Sequence, residues 1–253
     1  MSEAAFLAAI LAAPQDDAPR LIYADWLEER GHPLGEFIRI QCALAREHPG
    51  DDSRNPSWYD DQGGQLLPRQ GPLVERERRL LGEHEPTWVG PLWDRIERWP
   101  MKRRFRRGFV ERVCLSAQEF LLHAALLFGQ CPLLRQSALT SSRGRIPALA
   151  ACPFLARLTE LDLGDGGRNL EESEILALTG SPYLSGLRSL RLGDDLSAAV
   201  LGRMAGAPAF RRLERLVLEW DAYLEEAVER IQEREAEVNQ VFGRSIWKVI
   251  ACN

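Results

Sequence analysis

Leu158-Thr159-Glu160-Leu161-Asp162-Leu163, Leu187-Arg188-Ser189-Leu190-Arg191-Leu192 and Leu213-Glu214-Arg215-Leu216-Val217-Leu218 are three copies of one pattern, apolar-x-x-apolar-x-apolar. The last two apolar positions of each copy are spaced as side chains that return to one face of a β-strand. Two earlier copies are weaker: Val110, Val113 and Leu115 keep all three apolar positions, whereas Leu134, Ser137 and Leu139 lose the middle one. First positions at 110, 134, 158, 187 and 213 give steps of 24, 24, 29 and 26 residues. Such regular return predicts stacked units, each covering the apolar side of its neighbour.

Each unit reads as a strand, a loop, a helix and a return. After Leu163 come Gly164-Asp165-Gly166-Gly167-Arg168, a helical run over 170–179, and the stop Gly180-Ser181-Pro182. Gly193-Asp194-Asp195, a helix near 197–205 and Gly206-Ala207-Pro208 repeat that order. Earlier, Ser116 is placed to cap a helix over Ala117–Phe128, which Gly129-Gln130-Cys131-Pro132 ends. Proline recurs before each return because it cannot continue a helix and biases its predecessor toward extended backbone. The repeat steps fall in the leucine-rich-repeat range of about 20–29 residues. The expected fold is α/β (α+β overall), with a short, irregular leucine-rich-repeat-like solenoid over residues 101–253.

In such a stack the leucines are core and the alternate residues form a concave sheet face. In order these are Arg112 and Cys114, Gln136 and Ala138, Glu160 and Asp162, Ser189 and Arg191, then Arg215 and Val217, with Trp220 just past the last strand. Neighbouring strands are expected to set Asp162 beside Arg191. Arg112, Glu160, Asp162, Arg191, Arg215 and Trp220 are the candidate partner-binding residues, since Trp and Arg dominate interface hot spots. The alternative is a sheet face that is simply solvated, with Trp220 packed under the terminal helix. That helix is expected from Asp221 to about Gln240, with Leu224, Val228, Ile231 and Val238 apolar and glutamates on the remaining surface, as a cap on the array. Residues 245–250 alternate weakly and suit a final edge strand.

The first hundred residues read differently. Phe6, Leu7, Ile10 and Leu11 give a first helix one apolar face before Pro14, with Ser2 at its start. Pro19 opens a second helix that Gly31 closes, and a third is expected from Gly35 to Arg46, so the domain over 1–100 is a helical bundle. Residues 48–71 have the composition of a long surface loop, after which helical signal resumes from Pro72 to about Leu81. Trp58, Trp88, Trp93 and Trp99 are read as cementing a junction between sub-domains.

The stretch Asp16-Asp17-Ala18-Pro19-Arg20-Leu21-Ile22-Tyr23-Ala24-Asp25-Trp26-Leu27-Glu28-Glu29-Arg30-Gly31, followed by Gly35-Glu36-Phe37-Ile38-Arg39, is distinctive. It resembles the repeat-companion domain found mainly in large planctomycete and myxobacterial proteins, which sits N-terminal to leucine-rich repeats. A second stretch, Arg106-Arg107-Gly108-Phe109-Val110-Glu111-Arg112-Val113, resembles the segment that opens the repeats in such proteins. The resemblance covers about the first 46 residues, with residues 51–65 departing from it as an insertion. It implies a bacterial source and an architecture, with no activity or catalytic residue attached.

Composition sets outer bounds. A net charge of −5 argues against coating nucleic acid through bulk charge. Five cysteines, widely spaced and without a C-x-x-C pair, read as reduced thiols, and no apolar run approaches a membrane span; a cytoplasmic setting is expected. Lys102, Arg103, Arg104, Arg106 and Arg107 form a basic run around Phe105 that can contact phosphate, and it carries the alternative reading as a nucleic-acid-binding protein. A second alternative is an enzyme with a site at the domain junction. Asp25, Glu28, Glu29 and Glu36 around Trp26 and Tyr23 contain the residue types of a carboxylate pair, but become structural if Asp25 pairs with Arg20 or Arg39. The four histidines share no ligand spacing, and no phosphate loop or nucleophile elbow occurs. The leading expectation is a non-enzymatic adaptor, with no cofactor or metal, that binds a protein partner through the concave face or the inter-domain angle.

Overall fold

The computed structural model describes residues 2–47, 71–92, 102–164, 170–192, 196–221 and 227–252. The chain is α/β, with helices and a mixed β-sheet, and it divides into two compact units. One unit takes the chain up to Glu111 and also Leu126–Leu133; the other takes Arg112–Ala125 and the chain from Leu134 onward.

The first unit contains α1 (Glu3–Ala12), α2 (Ala18–Glu28), α3 (Leu34–Glu47), α4 (Pro72–Val89), β1 (Lys102–Arg106) and the start of β2 (Phe109–Ser116). Pro19 lies in the first turn of α2, where a missing N–H costs nothing. Gly31, at φ 66°, turns the chain out of that helix. Phe6, Ile10, Tyr23, Ala24, Leu27, Ile38, Cys42 and Leu133 form one core cluster; Phe37, Ile40, Leu44, Val74 and Leu80 form another. α4 continues through Pro86 to Val89, eight residues past the expected end near Leu81. Proline removes one helical hydrogen bond, but the added turns bury Val89 and bring Trp88 against Phe37, ring centroids 4.7 Å apart. Of the tryptophans read as a cluster, Trp58, Trp93 and Trp99 lie outside the described residues.

β1 and β2 are joined by Arg107 and Gly108, at φ 49° and 91°. Two successive residues at positive φ make the turn of a tight antiparallel hairpin. A β-carbon at Gly108 would run into the Ile38 side chain, and the Gly108 N–H donates to Gln41 Oε1 at 2.6 Å. The Arg-Arg-Gly-Phe stretch is therefore shaped for close approach to α3.

The second unit contains the remainder of β2, most of α5 (Ala117–Gln130), β3 (Gln136–Thr140), α6 (Ile146–Ala150), β4 (Glu160–Asp162), α7 (Glu172–Thr179), β5 (Ser189–Leu192), α8 (Ala198–Gly206), β6 (Arg215–Asp221), α9 (Ala227–Phe242) and β7 (Trp247–Cys252). The seven strands follow chain order across the sheet, and every pair from β2–β3 to β6–β7 is parallel. Pairing aligns Val113, Ser137, Leu161, Leu190 and Leu216 in one buried row. The first leucines of the copies, Leu134, Leu158, Leu187 and Leu213, are buried as well. Ser137 occupies an apolar position in that row, with its hydroxyl unpaired among the described residues.

Local capping explains where the helices start. Ser116 Oγ accepts from the Glu119 N–H at 3.1 Å, and Ser197 Oγ from the Val200 N–H at 3.4 Å. Glu171 and Glu174 form a reciprocal capping box at α7. Two expectations at the C-terminal end are corrected. β6 runs on to Asp221 because Glu219, Trp220 and Asp221 pair with Ile250, Ala251 and Cys252 of β7, so Trp220 lies inside a strand. Asp221, the expected start of the terminal helix, therefore lies in β6, and the described helix runs over Ala227–Phe242.

Candidate protein-interaction surface

The strand register sets the candidate docking residues in two rows. Arg112, Gln136, Glu160, Ser189 and Arg215 align in the first, and Cys114, Ala138, Asp162, Arg191 and Val217 in the second. Asp162 stands between two cations: its Oδ2 lies 3.8 Å from Arg112 Nη2 and 3.9 Å from Arg191 Nη1. Its Oδ1 accepts the Gly164 N–H at 3.0 Å. Gln136 Nε2 donates to Glu160 Oε1 at 2.9 Å across the β3–β4 pair. One carboxylate thus ties three strands together, and the face spends part of its charge on itself.

This face is less open than alternation alone predicts. Ala138 and Val217, expected to be exposed, are buried, and the Arg191 side chain is only 12% exposed. In register, Asp162 stands beside Ala138 and Arg191 beside Val217, so each short apolar side chain has an ionic neighbour. Arg112, Glu160, Ser189 and Arg215 are partly exposed. Trp220 pairs with Ala251 through its backbone, and its side chain lies outside the described residues.

The basic run is partly engaged within the first unit. Arg106 Nη1 approaches Glu111 Oε2 at 3.7 Å; Arg107 Nε lies 3.3 Å from Asp17 Oδ1, and its Nη1 donates to the Gln15 carbonyl at 2.8 Å. The side chains of Lys102, Arg103 and Arg104, all in β1, lie outside the described residues.

The same unit holds Arg20, which the sequence offers only as a possible partner for Asp25. Arg20 is fully buried on α2; its Nη2 meets Glu111 Oε1 at 2.7 Å and the Pro14 carbonyl at 2.9 Å. Its Nη1 donates to the carbonyls of Arg107 and Arg106 at 3.1 and 3.4 Å, and its guanidinium lies over the Phe109 ring. Guanidinium offers five donors in a planar fork, which suits it to several acceptors at once. Burial pushes the Glu111 carboxyl above its usual range, against the pull of Arg20, Arg106 and Arg107. Nearby, burial pushes the Cys42 thiol up to about 11, which keeps it protonated and unreactive at neutral pH.

The carboxylates around Trp26 are held in ion pairs. Arg39 contacts both Asp25 and Glu28, and Arg76 Nη2 meets Glu36 Oε2 at 2.6 Å. The hydrogen bond from Arg76 holds Glu36 below its usual range. The pairing of Asp25 with Arg39 meets the condition under which this patch is structural. Tyr23 donates to Glu3 Oε1 at 2.7 Å, and burial raises its hydroxyl further. Among the described residues no group of three or more His, Cys, Asp or Glu side chains is arranged to hold a metal ion. Cys42, Cys114, Cys131 and Cys152 are unbridged. Residues Asp165–Gly167 of the first glycine-rich loop and Asp194-Asp195 lie outside the described residues. No helix among them is long and apolar enough to cross a membrane.

No protein-family model, curated protein or solved structure matches this chain.

Proposed function

We propose that the chain is a non-enzymatic interaction module, in which a helical companion domain precedes a leucine-rich-repeat-like solenoid that docks a protein partner. The observation that carries this reading is the unbroken parallel register from β2 to β7. Strands in chain order, each returned by a helical or turn segment, are what stacked repeats require. The same register supports a mixed-charge docking face through Arg112, Glu160, Asp162, Arg191 and Arg215, with Trp220 as an anchor.

A cytoplasmic setting accords with the unbridged cysteines among the described residues. The nucleic-acid alternative has less support, because Arg106 and Arg107 are engaged by Glu111 and Asp17. The test is affinity capture with the wild-type chain and with R191S, R215S and W220A, each first checked for a native melting curve. Loss of the same captured protein with the variants is expected. Undiminished capture by all three would overturn the reading.

A further inference from the structure

The turns that lead into β3, β4, β5, β6 and β7 are, like residues 102–107, rich in arginine and poor in acidic residues. Residues 131–135, 153–159, 181–188, 208–214 and 243–246 contain six arginines, Arg135, Arg157, Arg188, Arg211, Arg212 and Arg244, and a single acidic residue, Glu214. The whole chain has 37 acidic residues against 32 basic ones. Cations are therefore concentrated on one rim of a protein that is acidic overall.

The backbone brings these turns together. The Arg135 carbonyl accepts the Thr159 N–H at 2.8 Å, the Thr159 carbonyl accepts the Arg188 N–H at 2.8 Å, and the Arg188 carbonyl accepts the Glu214 N–H at 2.7 Å. Positions 135, 159, 188 and 214 thus stand side by side, one per strand, at the parallel-sheet spacing of roughly 4.8 Å. Arg135 Nη1 donates to the Arg157 carbonyl at 3.2 Å, and Arg244 Nη2 to the Arg211 carbonyl at 3.3 Å, so both guanidinium groups lie against the backbone of these turns. Arg188, Arg211, Arg212 and Arg244 are exposed, whereas Arg112, Glu160, Asp162, Arg191 and Arg215 on the strands are half-buried. The Arg188 side chain is 57% exposed and already seats one carboxylate, that of Glu214.

We infer that this arginine rim is a docking site for an acidic polypeptide segment of a partner protein. Charge complementarity selects an anion. Glu214 Oε1 meets Arg188 Nη1, a charge-assisted contact of the kind guanidinium groups make with carboxylates. A strand of about five acidic-rich residues, at roughly 3.3 Å per residue, reaches along the row from Arg135 to Glu214. The inference takes from the proposed function only that the partner is a protein; it assigns docking to different residues.

The test is fluorescence anisotropy with labelled poly-L-glutamate of about ten residues at low ionic strength, where exposed charges are least screened. A single-stranded DNA oligonucleotide of equal charge is measured in parallel. Binding of poly-L-glutamate that weakens as salt rises is expected, with a loss of roughly tenfold in the R188S/R211S/R212S variant. R143S is expected to leave it unchanged, because Arg143 is exposed beyond the opposite end of β3 from Arg135. If the triple variant does not fold, R211S and R212S carry the test singly, with a loss of about twofold each. Failure of the wild-type chain to bind poly-L-glutamate, equal binding by the rim variants, or tighter binding of the DNA would overturn the inference. Loss in R143S alone would overturn it while leaving the strand-face reading in place.

Discussion

Arg20 and Arg188 put the same side chain to opposite uses. Arg20 has no exposed surface and is surrounded by a carboxylate, three carbonyls and an aromatic ring. Arg188 stands more than half exposed with one carboxylate, itself exposed. A buried charge costs several kcal/mol to desolvate and must be surrounded by acceptors, so removing it leaves the partners uncompensated. An exposed pair is screened by water and contributes about 0–1 kcal/mol. Number of partners and depth, rather than residue type, decide which arginine holds the fold and which is available to another molecule.

The comparison predicts its largest effect at Arg20. Arg20→Met should destabilise the chain by about 3 kcal/mol, because Glu111 is left buried with only the more distant Arg106 and Arg107 to offset its charge. Urea denaturation reads this directly, and adding Glu111→Leu should recover part of the loss. A double variant no better than the single one would break the assignment of Arg20 and Glu111 as a pair. Next is Gly108→Ala, expected to cost about 2 kcal/mol because the new methyl meets Ile38 and the backbone stands at φ 91°. A melting curve unchanged by that substitution would remove the close approach of the hairpin to α3. The smallest effect belongs to Arg188→Ser, expected to change stability by about 0.5 kcal/mol or less in the same denaturation experiment. A loss as large as that of Arg20→Met would erase the distinction on which the comparison rests.

The features legible in the sequence were those with a period or a local rule. Leu158, Leu161 and Leu163 recur as a unit, and alternation along a strand is enough to place Asp162 beside Arg191. Ser116 and Ser197 announce their helices because a side-chain cap acts within three residues. Arg20 and Glu111 are 91 residues apart and Arg20 belongs to no repeat, so nothing local distinguishes Arg20 from the exposed arginines of the same chain. The burial of Val217 was hidden for another reason. Strand alternation assigns a side but not a depth, and long ionic neighbours can cover a short apolar side chain. The continuation of β6 through Trp220 depended on β7, whose pairing no single strand reveals. The arginine rim was not legible because its six members are spread over five turns and become neighbours only when the strands align.

The acceptors around Arg20 also bear on what counts as a domain in this chain. They come from Pro14, Arg106, Arg107 and Glu111, and the core beside them includes Leu133. The four N-terminal helices are therefore not a self-sufficient cassette. Any shuffling event or genetic fusion that moved them without the Arg106–Glu111 hairpin would carry a guanidinium with most of its acceptors left behind. Inheritance of the helices and the hairpin as one indivisible block follows from the chemistry of a single buried side chain.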